Sequence, residues 1–210
     1  MMRKCLLCVF MPFLLLMSFS TLSWARLHNL ESLQSQLSKN EVIRGNFKQS
    51  RHLEMFNQPL ISTGTFSLSK SHGLIWQQQT PFAVNLILTQ DKLQQTFANQ
   101  APKTITAQEN PMAFYFSHIF LSVFHSNTAV LEEGFRMNFS VQDNDEWQLV
   151  LTPKQAPLNS VFKAITLTGK NYIDQLVLEE VRGDKTNIAF THQTSIPKEL
   201  TDTEKAQFEF

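Results

Sequence analysis

Cysteine is nearly absent from this chain. Its 210 residues include only Cys5 and Cys8, both inside an apolar run near the N-terminus. The rest of the sequence therefore offers no disulfide, no zinc–thiolate site and no nucleophilic thiol. Glycine is scarce too: there are six, no two of them spaced G-x-G, and no G-x-S-x-G occurs. Phosphate-cradling loops, dinucleotide folds and the hydrolase nucleophile elbow are excluded with them. Charge is thin, 17% of residues, and 18 basic side chains balance 18 acidic ones. Without a basic field, no binding to nucleic acid phosphates is expected. Tyrosine (2) and tryptophan (3) are few, yet phenylalanine reaches 18. So many rings without polar handles predict a core or cavity of unusually apolar surface. They also argue against a disordered chain.

The first residues read as an address. Arg3 and Lys4 precede the apolar run Leu6–Met17, and Ser23-Trp24-Ala25 places small residues at the two positions a signal peptidase reads. The run is shorter than the ~20 residues a membrane span needs, and Pro12 interrupts it. Cleavage after Ala25 is expected, leaving residues 26–210 as a single exported domain of the periplasm.

Leu27, Leu30, Leu33 and Leu37 fall at helical spacing, so an amphipathic helix is predicted over 27–39. From Val42 the apolar period changes to two. Strands are predicted over 42–51, 61–69, 74–76, 82–89 and 93–98. Then Asn110-Pro111 opens a second helix over 110–125. At about 100° per residue, Met112, Phe116, Ile119, Phe120, Val123 and Phe124 share one face, with His118, Ser122 and His125 roughly opposite. Strands resume over 135–141, 147–151, 162–168, 173–181 and 186–191. Arg182-Gly183-Asp184 marks the clearest hairpin. The fold class is mainly β with α: a long antiparallel meander with one covered face.

No catalytic constellation stands out, and no metal site or cofactor is expected. His118 and His125 could share a helix face, but nothing marks the carboxylates a metal would need. Glu132-Glu133 and Glu179-Glu180 are adjacent pairs, which on a strand point to opposite faces. What remains is apolar architecture. A Phe-rich helix across a sheet either fills a core or closes a cavity wide enough for an acyl chain.

Several stretches, taken in order, resemble the periplasmic outer-membrane lipoprotein carriers, the LolA family. They are Val42-Ile43-Arg44-Gly45-Asn46-Phe47-Lys48-Gln49, then Gly64-Thr65-Phe66-Ser67-Leu68 leading to Trp76 and Pro81-Phe82. Leu151-Thr152-Pro153-Lys154, the hairpin from Ile173 to Phe190 and the ending Phe208-Glu209-Phe210 follow. The resemblance implies an incomplete antiparallel β-barrel, a curved sheet with a helical lid over its concave side. It implies a monomeric carrier of acylated lipoproteins or other lipid-linked molecules. It also implies an inner-membrane exporter and an outer-membrane receptor as partners, and no catalysis.

The same resemblance implies a latch arginine between Leu68 and Trp76; this chain has Lys70 there, the candidate lid latch, which lacks the planar fork of a guanidinium. That departure points to a divergent paralogue. The expected cavity and lid residues are Phe47, Phe66, Leu68, Leu74 and Trp76 on the sheet, with Phe114, Phe116, Ile119, Phe120, Val123 and Phe124 on the helix. Two other readings stay open: a non-catalytic protein-interaction module without a cavity, and a lipid hydrolase using His118 or His125 with Ser122.

Overall fold

The computed structural model describes residues 29–98, 100–109, 114, 121–122 and 128–210, with the backbone alone for 128–130. The first helix, α1 (Leu30–Leu37), starts where Asn29 caps it: the Asn29 side chain accepts from the Ser32 N–H at 2.8 Å, and the Ser32 hydroxyl accepts from the Asn29 N–H. This reciprocal pairing satisfies two of the orphan donors of a helix start. Leu33 and Leu37 are buried in the main core, and Leu30 packs against it.

Eleven strands follow: β1 (Val42–His52), β2 (Leu60–Ser69), β3 (Gly73–Thr80), β4 (Val84–Leu88), β5 (Lys92–Phe97), β6 (Lys103–Thr106), β7 (Phe135–Val141), β8 (Trp147–Pro153), β9 (Phe162–Gly169), β10 (Ile173–Glu180) and β11 (Lys185–Thr194). All pair antiparallel in one open, curved sheet of order β6-β5-β4-β3-β2-β1-β11-β10-β9-β8-β7. Two meanders thus meet where β1 joins β11, and β6 and β7 stand at the two edges. Two short helices, α2 (Thr128–Gly134) and α3 (Asp202–Gln207), and a 3-10 turn at Leu158–Ser160 are further elements among the described residues.

Alternation gives the sheet an apolar inner face. Phe47 lies opposite Phe190, Ile188 opposite Leu176, Leu167 opposite Leu149, and Leu151 opposite Met137. These side chains join one core with Leu33, Leu37, Phe114, Leu121 and Leu131. Phe114, Leu121 and Leu131, which lie in sequence between the two edge strands, are thus buried against the inner face. Trp147 anchors α1 at one end: its Nε1–H donates to the Lys170 carbonyl at 2.8 Å, which also accepts from Gln36 of α1.

The outer face carries a second, smaller cluster. Val42, Ile75 and Ile87 alternate outward yet are fully buried. The chain after β11 covers them, with Leu200 buried and Glu204 of α3 gripping β1 and β2.

Several expectations need correction. The sequence reading omitted β6, whose Ile105 is its single large apolar residue and too short a signal for period two. It also stopped β3 at Trp76, whereas the ladder to β2 and β4 carries Gln77 and Gln78 onward as strand. It had no helix at α2 or α3. Ser122, expected opposite the apolar face of helix 110–125, is buried. Phe114 and Leu121 are buried too.

Candidate functional site

The inner face of β1–β3 and β11 is built around two G-x-F segments. The β1–β2 register sets Phe47 opposite Gly64 and Phe66 opposite Gly45. A ring with no side chain across from it can lie down over the neighbouring strand. Phe47 does so and stacks on Trp76 of β3, ring centroids 3.6 Å apart and planes inclined 22°. Phe190 of β11 meets Phe66 edge-on at 5.1 Å and Trp76 at 6.4 Å. Such offset and edge contacts add about 0.5–1.5 kcal/mol each beyond area burial.

Beside this cluster lies a pocket of about 10 Å³, lined by Phe66, Leu68, Leu74, Trp76, Ile173, Phe190 and Gln193. That is the room of a single water. Its wall is apolar apart from Gln193. Opposite Arg44–Asn46 of β1, strand β11 spends one extra residue, a bulge that includes His192 at φ 52°. The bulge resets the alternation so that Gln193 reaches the pocket. Gln193 Nε2 donates to the Ile173 carbonyl at 2.9 Å and to Asp174 Oδ1 at 3.3 Å, which turns its amide along the rim. Burial pushes the Asp174 carboxyl up, against a hydrogen bond from the Lys170 N–H, and the nearby Glu146 adds to the rise.

Four of the five sheet residues expected from sequence, Phe66, Leu68, Leu74 and Trp76, line this pocket, and the fifth, Phe47, stacks on Trp76. Phe114 is buried in the same core. Phe116, Ile119, Phe120, Val123 and Phe124, with His118 and His125, lie outside the described residues. Sequence reading missed Phe190, Ile173 and Gln193. The alternation Ile188-x-Phe190 was a usable sign for Phe190, whereas nothing local announces the bulge that positions Gln193.

Lys70 sits in the β2–β3 turn. Its N–H donates to the Glu41 carbonyl at 3.0 Å. Burial alone would raise the Glu41 carboxyl. Hydrogen bonds from the Ser71 hydroxyl and N–H outweigh it, helped by the Lys70 charge and the Ser69 hydroxyl, and hold that carboxyl below its ordinary value. The Lys70 charge thus acts on the turn. Among the described residues, no three His, Cys, Asp or Glu side chains group as metal ligands.

The strongest electrostatic unit lies on the opposite face. Arg44 donates to both carboxylate oxygens of Glu204, at 2.7 and 2.6 Å, and to the carbonyls of Pro197 and Glu199. Glu204 also accepts from Ser67 Oγ at 2.9 Å and caps its own helix through Thr201. The Arg44 guanidinium, with the Thr201 and Ser67 donors, overcomes partial burial and holds the Glu204 carboxyl down at about 2.

Among solved structures, the chain is similar to a LolA superfamily protein from Nitrosomonas europaea, at 8% identity and TM-score 0.45 over 84% of this chain and 97% of that one. It is also similar to a domain from Vibrio parahaemolyticus described as an outer membrane lipoprotein-sorting protein, at 10% identity and TM-score 0.47 over 86% and 98%. A third likeness is to a DUF1329 family protein from Desulfovibrio piger, at 8% identity and TM-score 0.35 over 82% and 92%. No curated protein matches the sequence. The model of the family described as outer membrane lipoprotein carrier protein LolA matches residues 38–210. That match spans both meanders, the aromatic inner cluster and the segment that covers the outer face, and the chain belongs to the LolA family.

Proposed function

We propose that this protein is a periplasmic, non-catalytic carrier that takes up acyl chains on its inner face and ferries their owners toward the outer membrane. The owners are lipoproteins or other lipid-linked molecules, handed over by an inner-membrane exporter and received by an outer-membrane acceptor. Residues 1–25 serve as the signal peptide and the remainder as one carrier domain. The observation that carries this reading is the apolar pocket lined by Phe66, Leu68, Leu74, Trp76, Ile173 and Phe190, within a family described as lipoprotein carriers.

Carriage needs no nucleophile. Burial of an acyl chain is worth ~0.8 kcal/mol per CH₂, and the difficulty is concealment: an empty carrier that left such a surface in water would aggregate. A pocket only about 10 Å³ in volume fits the closed, empty state, in which the rings occupy their own site. Ligand must displace Phe114 and Leu121 from the core they share with the sheet, so the energy of that packing sets the affinity. Release to a more apolar acceptor then follows from a modest net binding energy.

The same small pocket supports one alternative, an interaction module whose interior is filled by its own side chains. The two separate on titration with a triacylated lipopeptide followed by Trp fluorescence. A carrier shows saturable change at Trp76, lost in Trp76→Phe while binding persists by flotation-free equilibrium dialysis. A filled module shows no saturable uptake, and that result removes the carrier reading.

A further inference from the structure

Among the residues that line the inner pocket, Trp76 and Gln193 alone carry a polar side-chain atom, and Gln193 alone carries an acceptor. Its place there depends on departures from regular sheet. Alternation from Phe190 would turn His192 inward, and the extra residue of β11 opposite Arg44–Asn46 turns Gln193 inward in its stead. The bulge holds His192 at φ 52°, a left-handed conformation that costs a non-glycine residue strain. Gly45 of β1 clears the space: a Cβ there would stand 3.2 Å from Gln193 Cγ and 2.9 Å from the Phe66 ring. An unbroken strand with an apolar inward residue would complete an acyl-binding wall without that strain. Strain that sets an amide against an apolar wall points to a ligand group the amide meets.

The orientation of the amide is fixed. Nε2 engages both its hydrogens, on the Ile173 carbonyl at 2.9 Å and on Asp174 Oδ1 at 3.3 Å. The reverse orientation would set Oε1 against those two oxygens, so the hydrogen bonds decide which atom is which. Oε1 is left as an acceptor with no partner among the described residues.

We infer that Gln193 selects the linkage at the head of the acyl chain, its Oε1 accepting from the N–H of an amide-linked chain. This selection rests on the carrier reading of the pocket. An ester places a second acceptor where the N–H would be, and Oε1 is then cut off from water without a donor. Trp76 is a donor only and serves the carbonyl of either linkage alike, so the discrimination falls to Gln193. An N-acylated peptide and an N-acylated amino-acid lipid both bring the required N–H.

Two matched probes test it: N-lauroylglycine joined to a short soluble peptide, and its analogue with oxygen in place of the lauroyl amide N–H. Calorimetric titration of the processed protein should show the amide bound about tenfold more tightly, the effect of one hydrogen bond at a half-buried side chain. Gln193→Met keeps the length of the side chain and loses the acceptor, and should bring the two affinities within about twofold of each other. Gln193→Leu should do the same. A general loosening of the fold would weaken both probes alike and leave their ratio as it was. N-lauroylglycine without the peptide separates the sources: binding of equal strength extends the preference to N-acyl lipids, and loss of binding confines it to acylated peptides. Equal wild-type affinity for amide and ester overturns the inference and leaves the carrier reading standing, as does an amide preference retained in Gln193→Met. Binding of neither probe removes both.

Discussion

Phe47 and Trp76 stack with ring centroids 3.6 Å apart although a whole strand separates them. They reach each other diagonally across β2, where Gly64 stands opposite Phe47 and Phe66 opposite Trp76. In the facing pair, a Cβ at Gly45 would stand 2.9 Å from the Phe66 ring. The paired G-x-F segments of β1 and β2 are thus a device for laying rings flat on the inner face, and the pocket borders the patch they make.

Gly64→Ala tests how closely β3 approaches β2 at the foot of this patch. A Cβ at Gly64 would stand 2.0 Å from the Gln77 carbonyl oxygen and 2.8 Å from Gln78 Cα, both backbone atoms. Relief requires the β2–β3 ladder to move, so a loss of about 2–4 kcal/mol is expected. Urea unfolding measures it, and near-UV dichroism reads the tryptophan environment. An unchanged midpoint with unchanged aromatic signal contradicts the account of Gly64.

Acid should release the outer cover before it opens the sheet. The Glu204 carboxyl is depressed from 4.5 to about 2 in the folded chain. A depressed carboxyl stabilises the fold fully above its unfolded value and loses that contribution as the pH falls through the folded one. Stability should therefore decline between about pH 5 and pH 2. Arg44→Met should flatten that decline and cost about 1–2 kcal/mol at neutral pH, since both side chains of the pair are only partly buried. Unfolding midpoints from pH 7 to pH 2 in both proteins decide it. A decline of equal size in Arg44→Met would show that Glu204 is not its source.

Export gives a simpler outcome. The processed protein should begin at Arg26, as the small residues Ser23 and Ala25 prescribe. N-terminal sequencing of the periplasmic fraction reads it directly. Retention of Met1 in a membrane fraction contradicts it.

Much of this was legible from the sequence because it rests on local pattern. Period two in Phe66-x-Leu68 and Leu74-x-Trp76 set those side chains on one face, and the ordered family stretches supplied the open sheet. The missing parts depend on partners far away in sequence. Ile75 and Ile87 alternate outward and should be wet, but the chain after β11 buries them, which no strand pattern can announce. Gln193 enters the pocket through a bulge relative to β1, a relation between strands about 150 residues apart in the chain. The helix α3 did carry a local sign, the Thr201-x-x-Glu204 capping box, but its first turn lacks the apolar spacing that would draw attention to it.

Native mass spectrometry of the processed protein from its own periplasm, before and after incubation with triacylated lipoprotein, tests carriage most directly. The account predicts an adduct with the mass of an acylated molecule, at one ligand per chain. Trp76→Ala should weaken it while leaving the sheet folded by far-UV dichroism. A protein that is ligand-free as isolated and takes up neither lipoprotein nor free lipid in vitro contradicts the carrier reading.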